Sequence, residues 1–260
     1  MLIHTYFTDG FYGFGKLFIE SFKKIHGEKD TIIATTRDLN DRNISNLEKI
    51  YKNLIVLNKN IDMSNLSKKS GFSVGKLKKL KKEIEFYKVH GAKENVLWKQ
   101  FISVEDRYRN SIMEAMEYNH GEKHMMHIDA DSYIRKPLYP LFDIIENNDV
   151  SLIFRLYRKK DVKKIFGTLS GYAINSKSKM FMNKWKEVID RIPLKNKPRG
   201  YGQSSCYYAY NELKDQNIKW GEIKEKYVSS HLKDDLLIWS GNHSRGKTKT
   251  IELFEKDFNK

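Results

Sequence analysis

The sequence predicts an α/β fold in which helices flank one mostly parallel central sheet. Segments with the composition of buried strands, at 2–7, 31–35 and 54–57, alternate with segments of helical periodicity. That alternation is typical of βαβ units, which place parallel strands side by side. The chain has 260 residues, of which 40% are hydrophobic and 13% aromatic, so it can form a large core.

The first half of the chain follows this pattern with one interruption. Helices are predicted at 16–25 and 44–52, between the three strands. Residues 64–82 are rich in lysine and poor in large apolar side chains, which predicts an exposed loop leading into a basic helix. A longer helix at 96–117 precedes a strongly apolar strand at 125–128.

The second half contains shorter predicted elements. In order, they are a short helix within 133–145, a strand at 151–156, a strand at 171–175, a helix at 179–189, a basic glycine-containing loop at 195–203, a helix at 204–213 and a strand at 236–240. The sequence contains no internal repeat and no clear linker. We therefore predict a single domain spanning residues 1–260.

Composition narrows the class of protein. No stretch approaches the roughly 20 apolar residues of a membrane span, and no basic leader precedes an apolar region at the N-terminus. Cys206 is the only cysteine, which excludes an internal disulfide and a zinc site with several thiolates. These features predict a cytoplasmic protein. The net charge of +15 favours a polyanionic partner, and a solvated basic surface is the alternative.

Two carboxylates directly follow the most apolar predicted strand. Asp129 and Asp131 are two residues apart, so in an extended chain their side chains point the same way. A strand of this kind delivers its last residues to the carboxyl edge of the sheet, where open α/β folds bind ligands. Paired carboxylates there can hold Mn²⁺ or Mg²⁺, which in turn can hold nucleotide phosphates. The structural alternative is a pair of carboxylates that caps the next helix or lies in a turn.

A polar turn, 242–247, follows the last predicted strand. We expect it at the same edge of the sheet, where a neutral imidazole of His243 can be a third metal ligand. Gly246 allows close approach of the backbone to a phosphate, and Lys247 can neutralise the phosphate charge. The alternative is an ordinary basic turn near the C-terminus.

The first predicted strand also ends in candidate binding residues, Thr8, Asp9 and Tyr12. A carboxylate can accept a hydrogen bond from a base N–H, and an aromatic ring can stack on the base. A tight turn with core aromatics is the structural alternative.

Taken together, these residues resemble the GT-A fold glycosyltransferases, in particular the group that includes glycogenin and bacterial galactosyltransferases. Asp9 and Tyr12 match the family's uracil-binding positions with one extra residue between them, and Asp129-Ala130-Asp131 matches its Asp-x-Asp motif. The turn from His243 to Lys247 resembles the family's late His-x-x-Gly-x-x-Lys turn with shortened spacing. The resemblance implies a Rossmann-like single domain with a nucleotide-sugar half at about 1–135 and an acceptor half at about 136–260.

The resemblance also implies roles for two further residues. Arg107, like its neighbour Arg109, lies where a basic residue of the family reaches the nucleotide phosphates; a solvated helix face is the alternative. Gln203 lies in place of the family's acidic–Gln–acidic run and is expected beside the anomeric carbon. No carboxylate or histidine that could act as a general base accompanies it, which favours retention of configuration.

The expected function is a metal-dependent transfer of a hexosyl or pentosyl group from a nucleoside-diphosphate sugar, with UDP favoured. The basic segments 68–82 and 195–199 indicate a polyanionic acceptor or surface: modified phage-type DNA, or a lipid-linked or lipopolysaccharide glycan at an anionic membrane. The expected location is the cytoplasm, the inner membrane surface, or the host cytosol for a viral protein. Two alternatives are a metal-dependent phosphoryl- or nucleotidyl-transferase and a non-catalytic basic nucleic-acid-binding protein.

Overall fold

The structure is a computed structural model that describes residues 1–86, 110–157, 162–193, 196–197, 201–229 and 236–240. The strands in these residues are β1 Leu2–Thr8, β2 Thr31–Arg37, β3 Leu54–Lys59, β4 His124–Ile128, β5 Ser132–Ile134, β6 Val150–Tyr157, β7 Val162–Ala173, β8 Trp220–Glu222, β9 Val228–Ser229 and β10 Ile238–Ser240. The helices are α1 Tyr12–His26, α2 Asp41–Ile50, α3 Met63–Ser70, α4 Val74–Phe86, α5 Ile112–Tyr118, α6 Tyr139–Glu146, α7 Ser176–Asp190 and α8 Tyr201–Leu213.

The predicted α/β class is confirmed. Within the described residues, the central sheet has seven strands in the order β3-β2-β1-β4-β7-β6-β8. The pairs β3–β2, β2–β1, β1–β4 and β6–β8 are parallel, whereas β7 runs antiparallel to both of its neighbours. A second sheet has the order β5-β10-β9. The strand order reverses between β1 and β4, and such a reversal opens a crevice at the carboxyl ends of the strands.

Two layers of apolar side chains hold helices against the two faces of the sheet. On one face, Phe18 and Phe22 of α1 are completely buried against Ile3 of β1 and its neighbours. On the other face, α5, α7 and α8 pack on Met125 and Tyr172. Burial of this extent is the main favourable contribution to folding, and it fixes the carboxyl edge of the strands relative to the helices.

One close contact explains a glycine in β7. A Cβ at Gly171 would collide with the side chain of Ile145 in α6. The absence of a side chain therefore lets α6 pack directly on β7 near the carboxyl end of the strand.

Several predicted boundaries were wrong. The segment 64–82, predicted as a loop leading into a helix, forms most of α3 and α4, and Asp62 caps α3 by accepting from the backbone N–H groups of Ser64 and Asn65. The strand predicted at 171–175 is the end of the 12-residue β7. Residues 87–109, which include most of the helix predicted at 96–117, lie outside the described residues.

Two corrections concern the parts of the chain near the candidate site. The last strand, β10, was expected in the central sheet but pairs with β5 and β9 in the smaller one. It pairs there because β5, which was not predicted, offers it an antiparallel partner directly after Asp131.

The described part of the chain contains no helix both long and apolar enough to cross a lipid bilayer.

Candidate functional site

The reversal of strand order brings two of the predicted motifs to one edge of the sheet. β1 and β4 are adjacent and parallel, with His4 opposite His127 in the register. Asp9 follows the carboxyl end of β1, and Asp129 and Asp131 follow the carboxyl end of β4. Because parallel strands end at the same edge, the sheet carries all three carboxylates to the crevice between the strands.

Asp129 lies in a tight turn with a fixed backbone. Its N–H donates to the carbonyl oxygen of Thr168 in β7 across 2.9 Å, and its own carbonyl oxygen accepts from the N–H of Ser132 across 3.1 Å. The side chain is 13% exposed, and Oδ1 lies 3.6 Å from Nε2 of His127. The following element is the strand β5, with α6 beginning only at Tyr139, so the carboxylates do not cap a helix.

The smaller sheet brings the end of β10 beside this turn. Ser240 is the register partner of Ser132, and its hydroxyl lies 3.4 Å from the hydroxyl of Thr168, the residue that binds the backbone of Asp129. The predicted metal and phosphate residues His243, Gly246 and Lys247 lie outside the described residues, as do Arg107 and Arg109.

Asp9 occupies a short 3₁₀ turn between β1 and α1, and α1 begins at Tyr12, four residues before the helix predicted at 16–25. Its Oδ1 accepts a hydrogen bond from Nδ2 of Asn43, in the first turn of α2, across 3.1 Å. Thr8 and Asp9 are half-buried, and Tyr12 begins α1 with its ring partly packed against the core. The backbone here therefore forms the tight turn with core aromatics that was the structural alternative. The carboxylate of Asp9 is nevertheless partly accessible to solvent.

An ion-pair network lies at the ends of β2 and β3. Arg37 is 3% exposed and donates from Nη2 to both carboxylate oxygens of Glu114, each at 3.1 Å, and Lys59 pairs with the same carboxylate at 3.0 Å. Next to Arg37, the carboxylate of Asp38 pairs with Lys81 at 2.5 Å. The second pair ties the basic helix α4 to the carboxyl edge of the sheet.

Gln203 lies in the first turn of α8, not in the predicted loop, and is half-buried. It lines a small cavity between α8 and β7 with Gly167, Ser170 and Cys206. Ser170 is the register partner of His127, so this cavity opens on the same face of the sheet as His127 and Asp129. Burial raises the pKa of the Cys206 thiol well above its usual range, which keeps the thiol protonated and unreactive.

One predicted basic residue is buried. Lys197, in the predicted loop 195–203, is only 7% exposed. The exposed lysines of α4, Lys76, Lys78 and Lys79, remain at the surface.

The side chains of the described residues supply only part of a ligand set for a hard divalent cation. Asp129 and Asp131 offer carboxylate oxygens, which Mg²⁺ and Mn²⁺ prefer. No group of three histidine, cysteine, aspartate or glutamate side chains arranged for a metal occurs in the described ranges. Two protein carboxylates are the usual protein share of a site in which phosphate oxygens complete the coordination.

Sequence reasoning missed Asn43, Thr168 and the histidine pair His4 and His127. Asn43 and Thr168 carry no local signal, since each is an ordinary polar residue of its element. The two histidines did carry a local signal, because each lies in a strand whose other residues are nearly all apolar or β-branched.

Comparison with solved structures identifies the fold as that of the GT-A glycosyltransferases. The galactosyltransferase LgtC, solved with donor and acceptor sugar analogues, superposes with a TM-score of 0.60 at 9% identity, over 98% of this chain and 96% of its own. Apo GlyE of Streptococcus pneumoniae TIGR4 gives 0.61 at 10% identity over 98% of this chain, which spans 59% of GlyE. Apo mouse xyloside xylosyltransferase 1 gives 0.50 at 8% identity, over 93% of this chain and 98% of its own.

The likeness is one of fold. No protein-family model matches the sequence, and no curated protein sequence matches it. The predicted GT-A architecture is thus confirmed, while the roles of individual residues stay predictions.

Proposed function

We propose that this protein transfers a sugar from a nucleoside-diphosphate sugar, with the nucleotide bound at the carboxyl edge of β1 and β4. The observation that carries the proposal is the placement of Asp9 and the Asp129–Asp131 pair on the two strands that flank the reversal of strand order. The similar structures include a galactosyltransferase and a xylosyltransferase, which supports transfer of a hexosyl or pentosyl group.

Each group at the edge has a proposed task. Asp129 and Asp131, with His243, hold Mn²⁺ or Mg²⁺, which when bound stabilises negative charge on the leaving diphosphate. Asp9 accepts a hydrogen bond from a base N–H, which favours uracil. The ring of Tyr12 stacks on the base, next to Thr8. Lys247 and Arg107 neutralise the phosphates.

Gln203 is proposed to contact the transferred sugar. Its cavity lies on the same face of the sheet as Asp129. One of the similar structures is an active-site glutamine-to-glutamate mutant of LgtC, which supports a glutamine role in this fold. An amide can orient a sugar hydroxyl but cannot take a proton from an acceptor, which is consistent with a retaining reaction.

The proposed acceptor is polyanionic, either DNA carrying modified bases or a glycan at an anionic membrane surface. The support is the basic pair of helices α3 and α4, which the Lys81–Asp38 ion pair ties to the nucleotide edge. Exposed lysines there can contact phosphates, and such binding weakens steeply with salt.

Binding of duplex DNA and of anionic vesicles discriminates between these acceptors. Replacing Lys76, Lys78 and Lys79 with alanine is expected to abolish binding to whichever polyanion is the partner. The matched control replaces three exposed lysines at the opposite edge of the sheet, Lys214, Lys219 and Lys224. Equal binding by both triple variants would contradict a role for α4.

The donor site is tested by thermal shift with UDP, GDP, CDP and ADP, each with Mn²⁺ and with a chelator. A ligand that binds only the folded state raises the melting temperature. We expect a metal-dependent shift with one nucleotide, lost in Asp131→Asn and kept in Asp143→Asn, a control at an exposed carboxylate of α6. No shift with any nucleotide would remove the proposal.

An activity assay distinguishes sugar transfer from phosphoryl or nucleotidyl transfer. Hydrolysis of a nucleoside-diphosphate sugar to free sugar and nucleoside diphosphate is expected without acceptor, and Asp131→Asn should lower it by about 100-fold or more. Release of a nucleoside monophosphate instead would favour a phosphoryl- or nucleotidyl-transferase. Polyanion binding without nucleotide binding would favour a non-catalytic basic protein.

A further inference from the structure

His4 and His127 form a buried pair in the middle of the sheet. They are register partners on the adjacent strands β1 and β4, and both are completely buried. Their Nδ1 atoms lie 2.9 Å apart, and their ring centroids lie 4.9 Å apart. Because imidazole is costly to bury unless its nitrogens are hydrogen-bonded, this pair is a specific arrangement and not general core filling.

The hydrogen bonds behind His4 fix the orientation of both rings. The hydroxyl oxygen of Thr35 lies 2.8 Å from Nε2 of His4 and, at 3.4 Å, further from the carbonyl oxygen of Thr5. A carboxylate oxygen can only accept, so we assign the proton of His127 to Nε2, the nitrogen that faces Asp129. Nδ1 of His127 then accepts from Nδ1–H of His4, and Nε2 of His4 accepts from the hydroxyl of Thr35. A continuous chain of hydrogen bonds therefore runs from β2 through β1 to β4.

The other nitrogen of His127 faces the first candidate metal ligand. Nε2 lies 3.6 Å from Oδ1 of Asp129, which is two residues further along the chain and on the same face. The backbone of Asp129 is held separately by Thr168. With the backbone fixed and an imidazole ring against the inner oxygen, the carboxylate of Asp129 is kept at the edge of the sheet.

We propose that His127, held in place by His4, is a positioning residue that fixes the Asp129 carboxylate for a divalent cation. This inference rests on the proposed function, in which Asp129 is a metal ligand. Groups that orient a ligating side chain typically contribute 10–100-fold to metal affinity. If the pair served packing alone, its replacement would lower the melting temperature and leave the metal affinity unchanged.

The test measures the Mn²⁺ concentration that gives half of the nucleotide-dependent thermal shift. His127→Phe keeps a ring and removes both nitrogens, and His127→Gln restores a polar group facing Asp129. We expect the half-saturating Mn²⁺ concentration to rise about tenfold or more in His127→Phe and to return toward the wild-type value in His127→Gln. Met126→Leu, on the same strand but in the core of the opposite face, is the matched control.

His4→Phe keeps the inference testable if His127→Phe does not fold, because it removes the hydrogen-bond donor that orients His127. A cooperative melting transition in metal-free buffer establishes that each variant is folded. A half-saturating concentration within twofold of wild type in a folded His127→Phe or His4→Phe would overturn the inference. A wild-type protein without any metal-dependent nucleotide shift would instead overturn the proposed function.

Discussion

Nδ2 of Asn43 donates a hydrogen bond to Oδ1 of Asp9 across 3.1 Å. The bond joins the first turn of α2 to the 3₁₀ turn after β1 and thereby orients the carboxylate of Asp9. One oxygen of Asp9 is engaged by this bond, and the proposed recognition of a base N–H falls to the other oxygen.

Asn43→Ala is expected to weaken donor binding with little change in kcat. Loss of one orienting hydrogen bond of about 0.5–1.5 kcal/mol corresponds to a rise of about 2–12-fold in the KM for the donor. The control is Asn46→Ala, an exposed asparagine of the same helix. If both variants have the same KM, Asn43 does not orient Asp9 for binding.

Gly171→Ala should destabilise the fold, because the added methyl group meets Ile145 of α6. Overpacking of this kind costs about 1–3 kcal/mol, and the melting temperature should fall accordingly. Gly75→Ala in α4 is the matched control, since nothing lies within 4 Å of its added Cβ and alanine favours a helix. Equal melting temperatures for the two variants would show that α6 does not pack this closely on β7.

Cys206 should resist thiol reagents in the native protein. It is completely buried, and burial raises the pKa of the thiol well above its usual range. Labelling with a chromogenic disulfide at pH 8 is therefore expected only after denaturation. As the only cysteine, Cys206 gives a signal with a single origin, so rapid labelling of folded protein would contradict the packing of α8 on the sheet.

His26 should make stability depend on pH below neutrality. Burial lowers the pKa of its imidazole from the ordinary value of 6.5, and nearby Asp30 offsets this only in part. Nε2 accepts from the N–H of Leu138 across 3.1 Å, a bond that protonation breaks. The pKa of His26 is lower in the folded than in the unfolded protein. The contribution of neutral His26 to the free energy of unfolding is therefore present above pH 6.5 and is lost as the pH falls through the pKa of the folded state.

The measurement for His26 is the melting temperature of wild type and His26→Gln between pH 7.5 and 5.5. Glutamine cannot titrate in this range but still offers an oxygen acceptor. We expect the wild type to lose more stability on acidification than the variant. Parallel curves would mean that His26 is not a source of the pH dependence.

The sequence predicts the parallel half of the sheet well because most residues of β1, β2 and β3 are apolar or β-branched. It fails for β7, whose first half carries Lys163, Lys164 and Gly167 and becomes a strand through antiparallel pairing with β6. Pairing of this kind is a tertiary effect that local composition does not report.

The same division applies to the candidate site. Asp129 and Asp131 were predicted because a carboxylate pair after an apolar strand is a local signal. The contact of Thr168 with the backbone of Asp129 and the pairing of His4 with His127 depend on which strands neighbour β4. β10 lies in a separate sheet, with Ser240 near Thr168, because it pairs with β5. The strand β5 is too short to predict from the sequence.

The pairing of β1 with β4 has a consequence for biosynthesis. His4 meets His127 across 123 positions of the chain, so β1 leaves the ribosome long before its central neighbour exists. At about 5–20 residues per second, the delay is roughly 6–25 s. Throughout that interval the edge of β1 that later pairs with β4 is open to wrong partners, and a chaperone that covers it should raise the yield of folded protein.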